Sequence, residues 1–225
     1  MNRKNLRSLA AGVALLLAVG ALAGCGGEKK ADDSKKMVTV GIAQLVEHGA
    51  LDAANKGFVA GMASKGFKEN ENVKYDRQNA QADQSNLQNI AQRFVSNKVD
   101  LICAIATPTA QTMANATKDI PIVATAVTDY EVAKLAASNS EPKGNVTGTS
   151  DMNPIDQQLE LLLKIAPQTK NIGTVYSSSE VNSQLQVDVL KKLAGDKGIN
   201  VIEATVSTVN DIQQAAHSLV GKVDA

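Results

Sequence analysis

The sequence predicts an α/β protein built as two doubly wound parallel-sheet lobes, the second of them incomplete. Two observations predict it. From Met37 onward, short apolar runs alternate with longer segments of helical period, the pattern of βαβ units around a parallel sheet. The chain also repeats itself: Asn72-Val73-Lys74-Tyr75 leads through an apolar-striped helix to Lys98-Val99-Asp100, and Asn200-Val201-Ile202-Glu203 leads through another to Lys222-Val223-Asp224.

The first 24 residues carry Arg3, Lys4 and Arg7 and no acid, followed by an apolar run from Leu9 to Val19, the layout of an export signal. A short membrane anchor is the other reading, but Gly12, Gly20, Gly24, Gly26 and Gly27 thin its hydrophobicity. Leu22-Ala23-Gly24-Cys25 resembles a bacterial lipobox, which makes Cys25 the expected lipidated first residue of the mature chain. An ordinary cleaved signal with a chance cysteine is the plainer alternative. Residues 25–36 read as the lipidated cysteine and a solvated tether, because Gly26 to Lys36 hold no large apolar side chain. Extended, that tether reaches roughly 40 Å, so the folded part can stand near a membrane without entering it.

The strand candidates are Val38 to Ala43, Val73 to Gln78, Asp100 to Ala106, Ile122 to Val127, Asn145 to Thr149, Asn171 to Tyr176 and Asn200 to Val206. Between the second and third, Leu87, Ile90, Ala91, Phe94 and Val95 form one helix face, with Asp83 placed to cap it. Ile212, Ala215, Ala216, Leu219 and Val220 repeat that stripe in the second half. Pro108 and Pro154 stand at helix starts, where a missing amide proton costs nothing. The halves divide at residue 150, giving lobes 37–150 and 151–225. The second is expected to lack part of its sheet, through a truncated gene or a fragment, with an open edge and uncovered helix faces.

Composition narrows the function. The whole chain balances 23 Lys and Arg against 23 Asp and Glu; removing Arg3, Lys4 and Arg7 leaves 20 against 23, a net charge of −3. Such a surface offers no footprint for a nucleic-acid backbone. Aromatics are 3% with no Trp, so stacking surfaces for bases or sugars are scarce. Cys103, inside Leu101-Ile102-Cys103-Ala104-Ile105, reads as a small buried hydrophobe, and neither disulfide, metal nor cofactor is expected. His48 and His217 are the only histidines, and no nucleophile stands with a base, so an enzyme is not expected.

Ligands of open parallel sheets bind beyond the carboxyl ends of the strands. Those positions are Gln44 to His48, Asn79 to Asp83, Ala106 to Thr109, Thr128 to Tyr130, Ser150 to Met152, Ser177 to Asn182 and Ser207 to Asn210. They are rich in hydroxyls, amides and a few carboxylates. Glu47 can hold an ammonium and His48 can donate to a carboxylate, which suits a zwitterion; a solvated loop tip is the alternative. Asp129 and Asp151 are further candidates for the ammonium, unless they cap turns. Thr107 and Ser178 can offer hydroxyls beside helix amides, although Thr107 can also be only a cap. Ala106 and Thr128 adjoin them, and Tyr130 and Tyr176 belong either to the cleft or to the core.

Gln44-Leu45-Val46-Glu47-His48, Asp52-Ala53-Ala54 to Gly57-Phe58, Ala104-Ile105-Ala106-Thr107-Pro108, Asp119-Ile120-Pro121-Ile122-Val123 and Gly144-Asn145-Val146-Thr147-Gly148 resemble the tryptophan/tyrosine-type substrate-binding proteins of ABC transporters. The resemblance runs from about Met37 to Ala225. It implies a type I periplasmic-binding-protein clamshell: a lipid-anchored extracytoplasmic receptor that takes a small solute, an amino acid and in particular an aromatic one, to an ABC permease with a cytoplasmic ATPase. It also implies that Glu47, His48, Thr107, Asp129 and Asp151 line the cleft from one lobe, and Ser178 and Asn182 from the other. A ligand-sensing module that presents its bound state to a membrane receptor is the alternative function. A DNA-binding repressor of related fold is excluded, since an export signal stands where its DNA-binding head would be.

Overall fold

The computed structural model describes residues 37–225; the export signal, Cys25 and the tether lie outside the described residues. Chain order is β1 (Val38–Gln44), α1 (Gly49–Ser64), β2 (Val73–Asn79), α2 (Gln84–Ser96), β3 (Leu101–Ile105), α3 (Thr107–Ala116), β4 (Ile122–Val127), β5 (Val146–Ser150), α4 (Ile155–Ile165), β6 (Asn171–Ser177), α5 (Val181–Gly195), β7 (Asn200–Val206), a 3₁₀ turn (Val209–Asp211) and α6 (Ile212–Leu219). Every expected strand forms, with ends moved by at most one residue.

β1 to β5 make an all-parallel sheet in the order β2-β1-β3-β4-β5. The chain leaves β1 to one side for β2 and then to the other for β3, so β1/β3 is the switch point where such sheets open a crevice. Side chains alternate across the sheet. Ala43, Ile102 and Ala104 meet Leu87, Ile90, Ala91 and Phe94 of α2 and Met113 of α3. Val40, Ile42, Cys103 and Ile105 face the other way, toward Leu51, Ala54, Phe58 and Met62 of α1. Both faces are covered, as a parallel sheet requires. At Gly41 a Cβ would stand 2.7 Å from the Phe94 ring, so only glycine lets α2 seat there. Cys103 is a free, fully buried thiol, and burial pushes its pKa up to about 12.

β6 and β7 pair in parallel, and Ile172 of β6 packs with Leu159 of α4, Ala194 of α5 and Ile199. α6 lies on the other face, where Leu219 and Val223 approach Gly173.

The two halves share an atomic motif at their repeats. Asp100 donates its amide to the Thr39 carbonyl and accepts the Thr39 amide on Oδ2, both at 2.8 Å. Asp224 does the same with Asn171, again at 2.8 Å in both directions. In each half an aspartate begins pairing along the first strand, on the edge opposite the second strand. The helix stripes fare differently. Leu87, Ile90, Ala91 and Phe94 are buried but Val95 is 36% exposed. Of the second stripe only Leu219 is buried, while Ile212 is 46% and Val220 73% exposed. α6 has eight residues, Ala215 on it is half-buried, and Val220 lies past its last residue.

Candidate ligand-binding site

Parallel register fixes which loops meet. Gln44 pairs with Ile105, Ile105 with Thr125, and Val127 with Ser150, so the segments after β1, β3, β4 and β5 form one rim. Glu47, His48, Ala106, Thr107, Thr128, Asp129 and Asp151 all stand on it.

A buried amide holds the first loop. Gln44, 4% exposed, donates from Nε2 to Asp52 Oδ1 at 2.6 Å and to the Val46 carbonyl at 2.9 Å, and accepts from Asn55 Nδ2 at 3.1 Å. With donors and acceptor all matched, Gln44 pins the turn into α1. His48 is the N-cap of α1: Nδ1 accepts the Ala50 amide at 3.3 Å. The ring is exposed and structural on that side, and the bond leaves Nε2 as the nitrogen that carries the proton of a neutral ring. Glu47 is exposed and turns to a groove of about 450 Å³ shared with Asp52, Lys56 and Arg77 at the β2 edge. Of the expected contacts, Glu47 alone lines that groove.

Ala106, just after β3, has φ 89° and ψ 152°, a region that only glycine occupies freely. As N-cap of α3 it has no side chain to offer, so the first helical turn keeps its amides free of a side-chain cap. Thr107 and Thr109, at 1% and 0% exposure, each bury a hydroxyl with no hydrogen-bond partner. An uncapped first turn, in which Pro108 carries no amide proton, two orphaned hydroxyls and a strained residue coincide here.

β4 ends in a register shift between Ala124 and Val127, with Ala126 at φ 55°. Thr128 is buried, and its carbonyl accepts from Ser150 Oγ at 2.7 Å. Asp129 caps a turn: Oδ1 accepts the Val132 amide at 2.8 Å and Oδ2 the Asn139 side-chain amide at 2.9 Å. Asp129 is therefore a turn cap, with each oxygen accepting one hydrogen bond and a second lone pair left on each. Asp151 is exposed, and its amide donates to the Val127 carbonyl at 3.1 Å. Tyr130 belongs to the core. Its hydroxyl reaches the carbonyls of Ala124 at 2.9 Å and Thr149 at 3.2 Å, and burial with the Asp151 charge pushes its pKa up to about 12.

In the second half, Ser178 is exposed on the loop after β6 and its amide donates to the Val206 carbonyl at 3.4 Å. Asn182, in the first turn of α5, buries Oδ1 without a partner. Tyr176 donates to Glu203 Oε2 at 2.6 Å, and Lys191 holds Oε1 at 2.6 Å. The Glu203 hydrogen bond raises the phenol pKa, and Lys191 lowers that of Glu203.

A cavity of about 570 Å³ joins the halves. Gln81, Ala82 and Asp83 supply its first-lobe wall; Tyr176, Ser177, Ser179, Glu180, Thr208 and Ile212 are among those opposite. Its size falls in the usual range for small-molecule sites. The loops Asn79 to Asp83 and Ser207 to Asn210 stand at strand ends in the sequence, but nothing in their letters singles out a contact. Gln44 as a brace is likewise not singled out, although a polar residue ending a buried run is the available signal.

Residues 39–225 match the family model described as ABC transporter substrate binding protein. The chain belongs to that family. A Tyrosine-binding protein of Clostridioides difficile (strain R20291) is 48% identical over 231 residues, covering 99% of this chain and 66% of its own length. A conserved domain protein from Vibrio cholerae superposes with a TM-score of 0.82 at 42% identity, over 84% of this chain and 64% of that one. A Streptococcus pneumonia protein in complex with L-Trp gives 0.81 at 41% identity over the same shares. The ligand-free, open structure of a substrate binding protein from Clostridium difficile gives 0.61 at 50% identity, again over the same shares. This member of the family spans just under two thirds of the length of these relatives. Its fold is that of type I periplasmic-binding-proteins, shared also with a leucine binding protein at 13% identity and a TM-score of 0.64. Among the described residues no helix is long and apolar enough to cross a membrane.

Proposed function

We propose that this protein binds an amino acid with an aromatic side chain between its two lobes and delivers it, outside the cytoplasm, to an ABC permease. The cavity of about 570 Å³ lined by strand-end loops of both lobes carries this reading. Such a site favours the closed arrangement by the contacts that only closure completes. The residues whose chemistry suits a zwitterion stand on the strand-end rim of the first lobe, outside that cavity's own lining. The uncapped first turn of α3 with the Thr107 hydroxyl receives the carboxylate, and His48 Nε2 supplies a second donor from the same rim. Asp151, whose carboxylate is free of the turn bonds that Asp129 accepts, receives the ammonium, with Ala106 and Thr128 shaping the wall between. Ser178 and Asn182 close from the second lobe. The relatives that bind tyrosine and L-Trp support the ligand class.

The reading gives the protein no catalytic step and no cofactor. It also assigns Cys25 as a lipid anchor, so the receptor stays at the membrane that holds its permease. Thermal-shift screening of the twenty amino acids, followed by calorimetry of those that stabilise, tests the ligand class. Tyrosine or tryptophan is expected to raise the melting temperature and bind one to one. Stabilisation by none of them would reject the reading. Detergent partitioning of wild type against Cys25→Ala tests the anchor separately.

A further inference from the structure

We propose that Gln81 is the latch between the lobes, its side-chain amide bridging the hydroxyls of Ser177 and Ser179 when an amino acid is enclosed. This inference rests on the binding function proposed above and adds a residue that sets how firmly the lobes close.

Three observations carry it. First, Gln81 lies in the β2–α2 loop, which forms the first-lobe wall of the inter-lobe cavity opposite Ser177 and Ser179. Second, the loop is held in a conformation that side chains resist. Gln81 and Ala82 are successive non-glycine residues at φ 56° and 58°. That geometry is fixed from several directions: Ala80 and Ala82 donate their amides to the carbonyls of Gln44 and Leu45 at 2.9 and 2.8 Å, and Gln81 donates its own to Asn79 Oδ1 at 2.8 Å. Strain kept by so many restraints marks a segment whose position matters. Third, the groups on the loop are unequally committed. Asn79 Oδ1 braces the turn and Asp83 Oδ1 caps α2 at 2.7 Å, whereas the exposed Gln81 amide bonds to nothing among the described residues.

Across the cavity, Ser177 and Ser179 share one hydrogen bond at 3.0 Å, which leaves one hydroxyl proton and several lone pairs unused. A carboxamide carries both an acceptor and a donor, and so can take the proton and fill a lone pair at once. Neither a carboxylate nor an ammonium can do both.

The test compares wild type with Gln81→Ala, Gln81→Glu and Gln81→Gly, using L-tyrosine and L-tryptophan as probes, by calorimetry, stopped-flow dissociation and small-angle scattering. Gln81→Ala is expected to weaken affinity about tenfold, the worth of one amide bridge, through faster dissociation, and to reduce compaction at saturation. Gln81→Glu, which keeps only acceptors, is expected to fall between. Gln81→Gly relieves the backbone without restoring the amide, so its melting temperature rises while its affinity stays as low as that of Gln81→Ala. Wild-type dissociation rate and compaction in Gln81→Ala would overturn the latch alone; absence of binding by wild type would overturn the binding function and the latch together.

Discussion

Gly148→Ala is the substitution whose effect follows most directly from the packing. Gly148 sits on β5 opposite Ala124 of β4, and a Cβ there would lie 1.9 Å from the Ala124 carbonyl oxygen and 2.2 Å from the Tyr130 hydroxyl. Neither neighbour is the free end of a flexible chain. The carbonyl is part of the β4 backbone, and the phenol is fixed by its bonds to Ala124 and Thr149. Overpacking of this kind costs about 1–3 kcal/mol. If the phenol is displaced from its acceptors, an unsatisfied buried hydroxyl adds about 1–3 kcal/mol. The expected loss is therefore about 2–6 kcal/mol, read as a lower urea midpoint at an unchanged denaturant slope. Tyr130→Phe in the Gly148→Ala background should recover part of that loss, because it removes one of the two colliding groups. A Gly148→Ala protein within about 0.5 kcal/mol of wild type, well below the overpacking range, would refute the account of how β5 and the Thr128–Asp151 rim are held.

Three further outcomes are expected. Ala106→Gly removes a strained φ of 89°; relief of about 1–3 kcal/mol against a glycine entropy cost of about 0.5–1 kcal/mol should leave the variant about 1 kcal/mol more stable in urea. At high pH, Cys103 and Tyr130 stay protonated in the fold up to about 12, against usual values of 9.0 and 10.0. The unfolded chain loses those protons first, so stability falls as pH rises from about 9 toward about 12, and Cys103→Ala with Tyr130→Phe should flatten that fall. At low pH, burial pushes Asp76 up, but hydrogen bonds from Arg93 and Gln78 and the charges of Arg93 and Lys74 outweigh it and hold the carboxyl below its usual 3.8. Its stabilising share is present above that value and lost as pH falls through the folded one, so Asp76→Asn should lower the urea midpoint at neutral pH and make it less sensitive to acid.

The sequence disclosed the strands because each is a buried apolar run between polar segments, and it disclosed the repeat because Lys-Val-Asp recurs at matching places. Asp100 and Asp224 then make the same pair of bonds. What stayed hidden depends on backbone angles and on partners distant in the chain. Nothing in the letters of Ala106, Gln81 or Ala82 announces a positive φ, since the restraints come from strands and loops elsewhere. Asp129 reads either as a ligand carboxylate or as a turn cap, and its bond from Asn139, ten residues on, is not visible in the letters. Glu47 reads as a residue of the loop after β1, but that it lines a groove with residues of β2 depends on how the loop is folded, with Gln44 bonded to Asp52. The helical stripe of α6 was legible as a period, but period alone does not say which part of a short helix reaches the sheet.

The central claim is that the strand-end rims of two lobes grip one amino acid between them, and a crystal structure of the protein grown with L-tyrosine or L-tryptophan tests it most directly. The account predicts the ligand between the lobes, its carboxylate at the first turn of α3 beside Thr107, its ammonium at Asp151, and contacts from the second lobe. A ligand held by one lobe alone, or seated away from the strand ends, would contradict it.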